Sequence, residues 1–140
     1  VDSSLIQYRD RWWLFTSHSV MHKKAPYELH LYSTVNPLSG NWEKHPQCPI
    51  YIDVRCGRNA GQVFQREGKL YRSAQDGTQR YGRRIAIYEV IAMDQANYQE
   101  KLVRYIEPTW CHTLNRCHTF NAKGHLAVMD AAKDVFAPFL

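Results

Sequence analysis

A short pattern that recurs three times constrains this chain more than any single residue does. Residues 62–65 and 70–72 are β-prone runs on either side of Arg66-Glu67-Gly68-Lys69, a polar turn carrying a glycine. That arrangement is a hairpin signal. Shifted back by 58 positions, residues 5–13 fall under residues 63–71, and shifted forward by 56, residues 119–127 do the same. An internal repeat outranks local motifs in deciding a fold.

The repeat reaches past the hairpin. Glu28-Leu29-His30-Leu31-Tyr32-Ser33 and Ile85-Ala86-Ile87-Tyr88-Glu89-Val90, 57 apart, both read as a third strand. Asn41-Trp42-Glu43-Lys44 and Asn97-Tyr98-Gln99-Glu100, 56 apart, place an aromatic at the entry to a fourth. The expected fold is therefore all-β, a partial β-propeller with two full blades and the start of a third, in one domain over residues 1–140. The competing reading is a β-sandwich whose hairpins resemble one another by chance. Turns are expected at residues 36–40, a His- and Lys-bearing loop at 17–26, and a short helical turn at 95–103 behind an Asp94 cap.

Composition narrows the partners. A formal net charge of +5 favours anionic partners in general, but the basic residues are scattered, so nucleic acid is not the expected partner. No apolar run approaches 18 residues, which excludes a membrane-spanning helix from the reading. The sequence opens at Val1 without Met or an apolar leader, so no signal peptide is read, and a trimmed chain or fragment is expected. Cys48, Cys56, Cys111 and Cys117 lack zinc-ribbon spacing, and the adjacent Cys-His pairs at 111–112 and 117–118 would point to opposite faces of a strand. Free thiols in a reducing cytoplasm are expected, with no metal and no cofactor.

Several motifs together carry a resemblance: Val1-Asp2-x-Ser4-Leu5 with Trp12-Trp13-Leu14-Phe15, Leu29-x-Leu31-Tyr32, Gly40-x-Trp42-x-x-His45-Pro46, Arg58-x-x-Gly61, Leu70-Tyr71-Arg72-x-x-Gln75-Asp76, Tyr81-Gly82-x-x-Ile85, Tyr98-x-Glu100 and His118-Thr119-Phe120. The chain resembles the five-bladed propeller domain related to glycoside hydrolase family 43, as found in bacterial domains and at the N-terminus of plant glucosamine inositolphosphorylceramide transferases. The resemblance implies that the opening blades are absent. It also implies that Asp2 corresponds to the second of the hydrolase acids, the one that tunes the general acid, although Ser3 stands where a Pro usually follows. Where the next blade would supply a general-acid Glu, this chain has Arg58-Asn59-Ala60-Gly61. Inverting hydrolysis needs an acid and a base about 6.5–9.5 Å apart, so the set is incomplete.

A different polar group does converge on strand ends: Arg58, Arg72, Gln75, Asp76, Tyr81 and His118. Arginine offers planar bidentate donors, Gln and Asp can bridge vicinal hydroxyls, and Tyr can stack on a sugar ring. Each also has a structural reading: Gln75-Asp76-Gly77 as a turn, Arg72 paired with Asp76, His118 in a core. The leading functional reading is a saccharide-binding or accessory module, taking a saccharide or an anionic small ligand. The alternatives are a glycoside-active or glycosyl-transfer enzyme completed by oligomerisation or further sequence, and a basic protein for an anionic polymer. Two further expectations follow from the repeat. Trp12, aligned with Leu70 and Leu126, should be more buried than Trp13. Blade faces left uncovered, with Leu5, Trp12, Phe15, Leu126 and Val128, should pair two copies into a homodimer whose shared channel the polar group lines.

Overall fold

A computed structural model describes residues 1–20 and 27–135, and among them the only regular secondary structure is strand. The first sheet joins β1 (Ser4–Tyr8), β2 (Arg11–Ser19), β3 (Tyr27–Thr34) and β4 (Glu43–Lys44) in that order, with β5 (Tyr51–Ile52) pairing farther along β3. The second runs β10 (Tyr98–Ile106), β9 (Arg84–Met93), β8 (Lys69–Asp76), β6 (Arg58–Asn59), with β7 (Phe64–Arg66) also on β8. A third hairpin pairs β11 (Phe120–Lys123) with β12 (Leu126–Met129). All pairings are antiparallel.

The turn-closing pairs Tyr8↔Arg11, Arg66↔Lys69 and Lys123↔Leu126 fix the equivalence of the hairpins at shifts of 58 and 57. The forward shift is thus one residue longer than the sequence alignment gave it, so Leu70 corresponds to Ala127 rather than Leu126. The first turn residue is left-handed in all three, Arg9 at φ 56°, Glu67 at 52° and Gly124 at 60°. Backbone geometry keeps the register where side chains have drifted.

The units stack in series. Trp13, Phe15, Leu29 and Leu31 on one face of the first sheet pack against Val63, Leu70, Met93 and Tyr98 of the second. The opposite face of the second sheet brings Ile85, Ile87 and Tyr71 against Cys117 and Phe120 at the third hairpin. Two sheets and a hairpin thus lie in series, each packed on the next. This packing also reverses one expectation: Trp13 is 3% exposed while Trp12 is only half-buried. Trp12 does correspond to Leu70, but Leu70 is buried because the first sheet lies on its face. The matching face of the first sheet carries Trp12, Leu14 and Thr16, and no described element covers it.

Two local expectations also change. Residues 95–103 form no helical turn: Tyr98 onward is β10, and Asp94 instead closes the β9–β10 loop by accepting from Ala96 N and Asn97 N, both at 2.8 Å. The loop placed at 17–26 begins later, since β2 continues to Ser19, and residues 21–26 lie outside the described residues. The turn at 36–40 is present, with Asn36 Oδ1 accepting from Leu38 N at 3.0 Å. In the first unit the fourth strand is split into β4 and β5. Between them lie Pro46 and Pro49, which cannot donate to a ladder.

Candidate functional site

Strand alternation divides the residues that the sequence grouped together. On β8, Arg72 and Asp76 point between the two sheets, whereas Gln75 points the other way, toward the third hairpin. Arg72 is fully buried and holds Glu100, whose side chain is also fully buried, through Nε at 2.8 Å and Nη2 at 2.5 Å. Its remaining Nη1 donates to Cys56 O and Asn59 Oδ1. Burial opposes the Arg72 charge, but Glu100 more than offsets this and pushes its pKa up. Asp76, also fully buried, accepts from Thr78 N and Oγ1 and from Arg84 Nε at 2.7 Å. Neither residue lines either of the two described cavities. Both are structural, with Asp76 paired to Arg84 rather than to Arg72.

The other five come together. Asp2, Arg58, Gln75, Tyr81 and His118 line one cavity of about 160 Å³, with Ser3, Asn59, Ala60, Gly61 and Thr119. That is small beside the roughly 300–1,000 Å³ of drug-sized sites, and suits a single ring. Four segments meet there: the residues before β1, β6 with the end of β8 that pairs it (Arg58↔Gln75), the loop bearing Tyr81, and the entry to the third hairpin. Gly61 allows the closure. Its φ of +144° is disfavoured for L side chains, and a Cβ there would lie 2.2 Å from Phe120 O.

Arg58 is the fixed point of the pocket. Its guanidinium lies 5.0 Å from the Tyr27 ring centroid and 5.3 Å from that of Tyr81. Nε donates to Asp2 Oδ2 at 2.5 Å and Nη1 to Tyr27 Oη at 3.0 Å. Burial works against its charge, but Asp2 outweighs that and raises the pKa. Tyr81 in turn packs at 5.1 Å on the His118 ring. His118 is oriented by Asp130, which takes the Nδ1 side of the imidazole at one oxygen and accepts from His118 N (2.9 Å) and Thr119 N (2.7 Å) at the other. Gln75 Nε2 donates to Asn59 O at 2.8 Å.

Three supporting residues were missed from sequence. Asn59, 1% exposed, ties the first sheet to the pocket floor by donating to Asp2 O at 2.8 Å and Phe15 O at 3.3 Å. Tyr27 gives no motif of its own. Asp130 was legible in principle, because the pairing Phe120↔Met129 sets Thr119 opposite Asp130. Among the described residues no three His, Cys, Asp or Glu side chains gather to hold a metal. Burial pushes Cys56 and Cys117 up to about 11, as expected of inert thiols.

The fold and pocket define an all-β repeat domain with a polar, aromatic-flanked site at the junction of its units. The family described as "Glucosamine inositolphosphorylceramide transferase 1, N-terminal" matches residues 1–131, and the chain belongs to that family. Among curated proteins it is similar to glucosamine inositolphosphorylceramide transferase 1 of rice, 42% identical (japonica) over 71% of this chain. The Arabidopsis thaliana protein of the same name is 33% identical over 71% of this chain. Only 14% and 13% of those two proteins' lengths are covered. Both are plant proteins, where the resemblance points also to bacterial domains. No solved structure matches.

Proposed function

We propose that this chain is the sugar-holding part of a glycosyl-transfer protein, with the Arg58 cavity as the place where one saccharide ring sits. The observation that carries the reading is that cavity, a guanidinium flanked by two tyrosines and bordered by Gln75 and His118, in a chain of the glucosamine inositolphosphorylceramide transferase family. Tyrosine faces and fixed polar groups of this kind suit ring stacking with hydroxyl bonding. A role in holding rather than hydrolysing fits the carboxylates. Asp2 is engaged by Arg58 and Asp130 by His118, so among the described residues no unpaired acid and base face each other across the cavity. The five-bladed plan and the relation to glycoside hydrolase family 43 belong to the same proposal, supported by the serial packing of two sheets and a hairpin.

The test is a titration of the chain with a panel of monosaccharides, followed by amide shifts of Tyr81, His118 and Gln75. Saturable shifts at these residues, abolished by Arg58→Ala, are the expected result. No shift with any sugar, or undiminished binding in Arg58→Ala, overturns the reading.

A further inference from the structure

The two full sheets protect their outer edges, and the third hairpin does not. On the first sheet the outer strand is broken into β4 and β5, two residues each, around Pro46 and Pro49. On the second, β10 is interrupted by register shifts at Gln99/Glu100 and Leu102/Arg104 and carries Lys101 and Arg104. Bulges, prolines and charges are the usual means of blocking the addition of a further strand. β12 has none of them. Leu126-Ala127-Val128-Met129 is uncharged, and among the described residues it pairs only with β11. Leu126 and Val128 are 67% and 58% exposed. In the other two units the strand at this place has a neighbour on its far side, β3 beside β2 and β9 beside β8.

The phase of the hydrogen bonds decides which groups this edge offers. Asp130 N donates to Thr119 O at 3.2 Å, one step beyond the Phe120↔Met129 pair. Bonding alternates along antiparallel strands, so Val128 and Leu126 turn their N–H and C=O to β11, while Ala127 and Met129 turn theirs outward. Phe120 is in the same outward phase on the other strand: its N–H leaves the hairpin for Ala60 O at 2.6 Å. Two copies of β12 set antiparallel about Ala127 satisfy one another. Ala127 exchanges both bonds with the partner's Ala127, and Met129 does so with the partner's His125. Leu126 then lies opposite the partner's Val128, an apolar cross-strand pair that symmetry repeats. Reading across the sheet, Lys123 and Leu126 continue into the partner's Val128 and the partner's Asn121, so no like charges come opposite each other.

We infer that this chain self-associates through the free edge of β12, an isologous two-fold contact that joins two hairpins into one four-stranded sheet. Such a contact closes on itself and does not propagate. A lone two-stranded hairpin is marginal in water, whereas three or more strands are not. The pairing therefore also firms the hairpin whose entry carries His118 and Thr119 to the cavity. What the cavity holds has no bearing on the contact.

An edge this short makes a weak contact, with a dissociation constant between about 1 µM and about 1 mM. Sedimentation equilibrium of the full chain up to about 1 mM should show a mass that rises with concentration and stops at the dimer. Over the same range, hydrogen exchange at the Ala127 and Met129 amides should slow. Val128→Lys places a charge on the exposed side of the edge, and Ala127→Pro removes an outward N–H that β11 does not use. Each should weaken association at least about tenfold, with thermal melting to check that the fold is retained. A chain that stays monomeric throughout overturns the inference, and so does assembly beyond a dimer. A dimer in which Ala127 and Met129 exchange at the monomer rate, or one that both folded variants leave intact, places the contact elsewhere and overturns it too. Exchange in the unaltered chain decides the matter even where a variant fails to fold.

Discussion

Replacing Arg72 by Met separates a structural arginine from a ligand-binding one. The side chain lies between the two sheets with no exposure, and its guanidinium makes four hydrogen bonds, two to Glu100 and one each to Cys56 O and Asn59 Oδ1. Removing it leaves the buried Glu100 carboxylate, among the described residues, with the Tyr98 hydroxyl as its remaining hydrogen-bond partner. Breaking a buried pair by deleting one member costs about 3–5 kcal/mol, a large part of the roughly 5–15 kcal/mol that holds a domain folded. Adding Glu100→Gln removes the stranded charge and keeps an oxygen for Tyr98. The double variant then bears chiefly the two uncapped acceptors, about 1–3 kcal/mol each, without the stranded charge that Arg72→Met adds to them, and should be more stable than Arg72→Met alone. Urea melts with unchanged m-values read both differences. A cost below about 1 kcal/mol for Arg72→Met, outside the range above, would refute the structural assignment. So would a double variant no better than the single. Loss of sugar binding at full stability would return Arg72 to the pocket.

Two further outcomes follow from the packing. Burial raises the Asp76 pKa, but its bonds from Thr78 and Arg84 outweigh this and hold it below the ordinary 3.8. A carboxyl depressed in the folded state adds stability that is present above about pH 3.8 and lost as pH falls through the folded value, so Asp76→Asn should flatten the acid limb of urea midpoints measured from neutral pH downward. An equally steep limb in the variant would contradict it. Trp13→Ala should cost about 3–5 kcal/mol and Trp12→Ala clearly less, since only Trp13 is closed into the inter-sheet core; equal losses in urea would show the faces are wrongly assigned.

The hairpins were legible because turn and strand signals are local, and Glu67-Gly68 with its flanking runs carries its own geometry. Burial of a given side was not legible in the same way. Trp12 and Leu70 hold the same place in their strands, yet only Leu70 has a sheet laid over it. The helical turn expected at 95–103 fails for a related reason: Tyr98 and Leu102 are four apart, but the pairing of β10 with β9 decides, and Asp94 closes a loop between strands as readily as it caps a helix. The site was half legible. Proximity to strand ends picked Arg58, Gln75, Tyr81 and His118, but the same criterion swept in Arg72 and Asp76, because closeness along a strand says nothing about which side a residue faces.

That failure and the pocket have one origin. In a stack of repeated sheets each unit has a face toward its predecessor and a face toward its successor, and polar residues placed on the two faces meet different fates. On β8 the even positions meet the first sheet, where Arg72 and Asp76 must be fully paired to be buried at all. The odd position at Gln75 meets the third hairpin only at its entry, where the packing does not close, and there Asp2 from the first unit and His118 from the third reach the same space. The cavity-lining groups are those that the junction leaves incompletely bonded among the described residues, Asp2 Oδ1, Gln75 Oε1 and Arg58 Nη2 among them. Unspent bonding capacity beside a cavity, rather than charge or position in the repeat, distinguishes the residues proposed to hold a sugar from those that hold the sheets together.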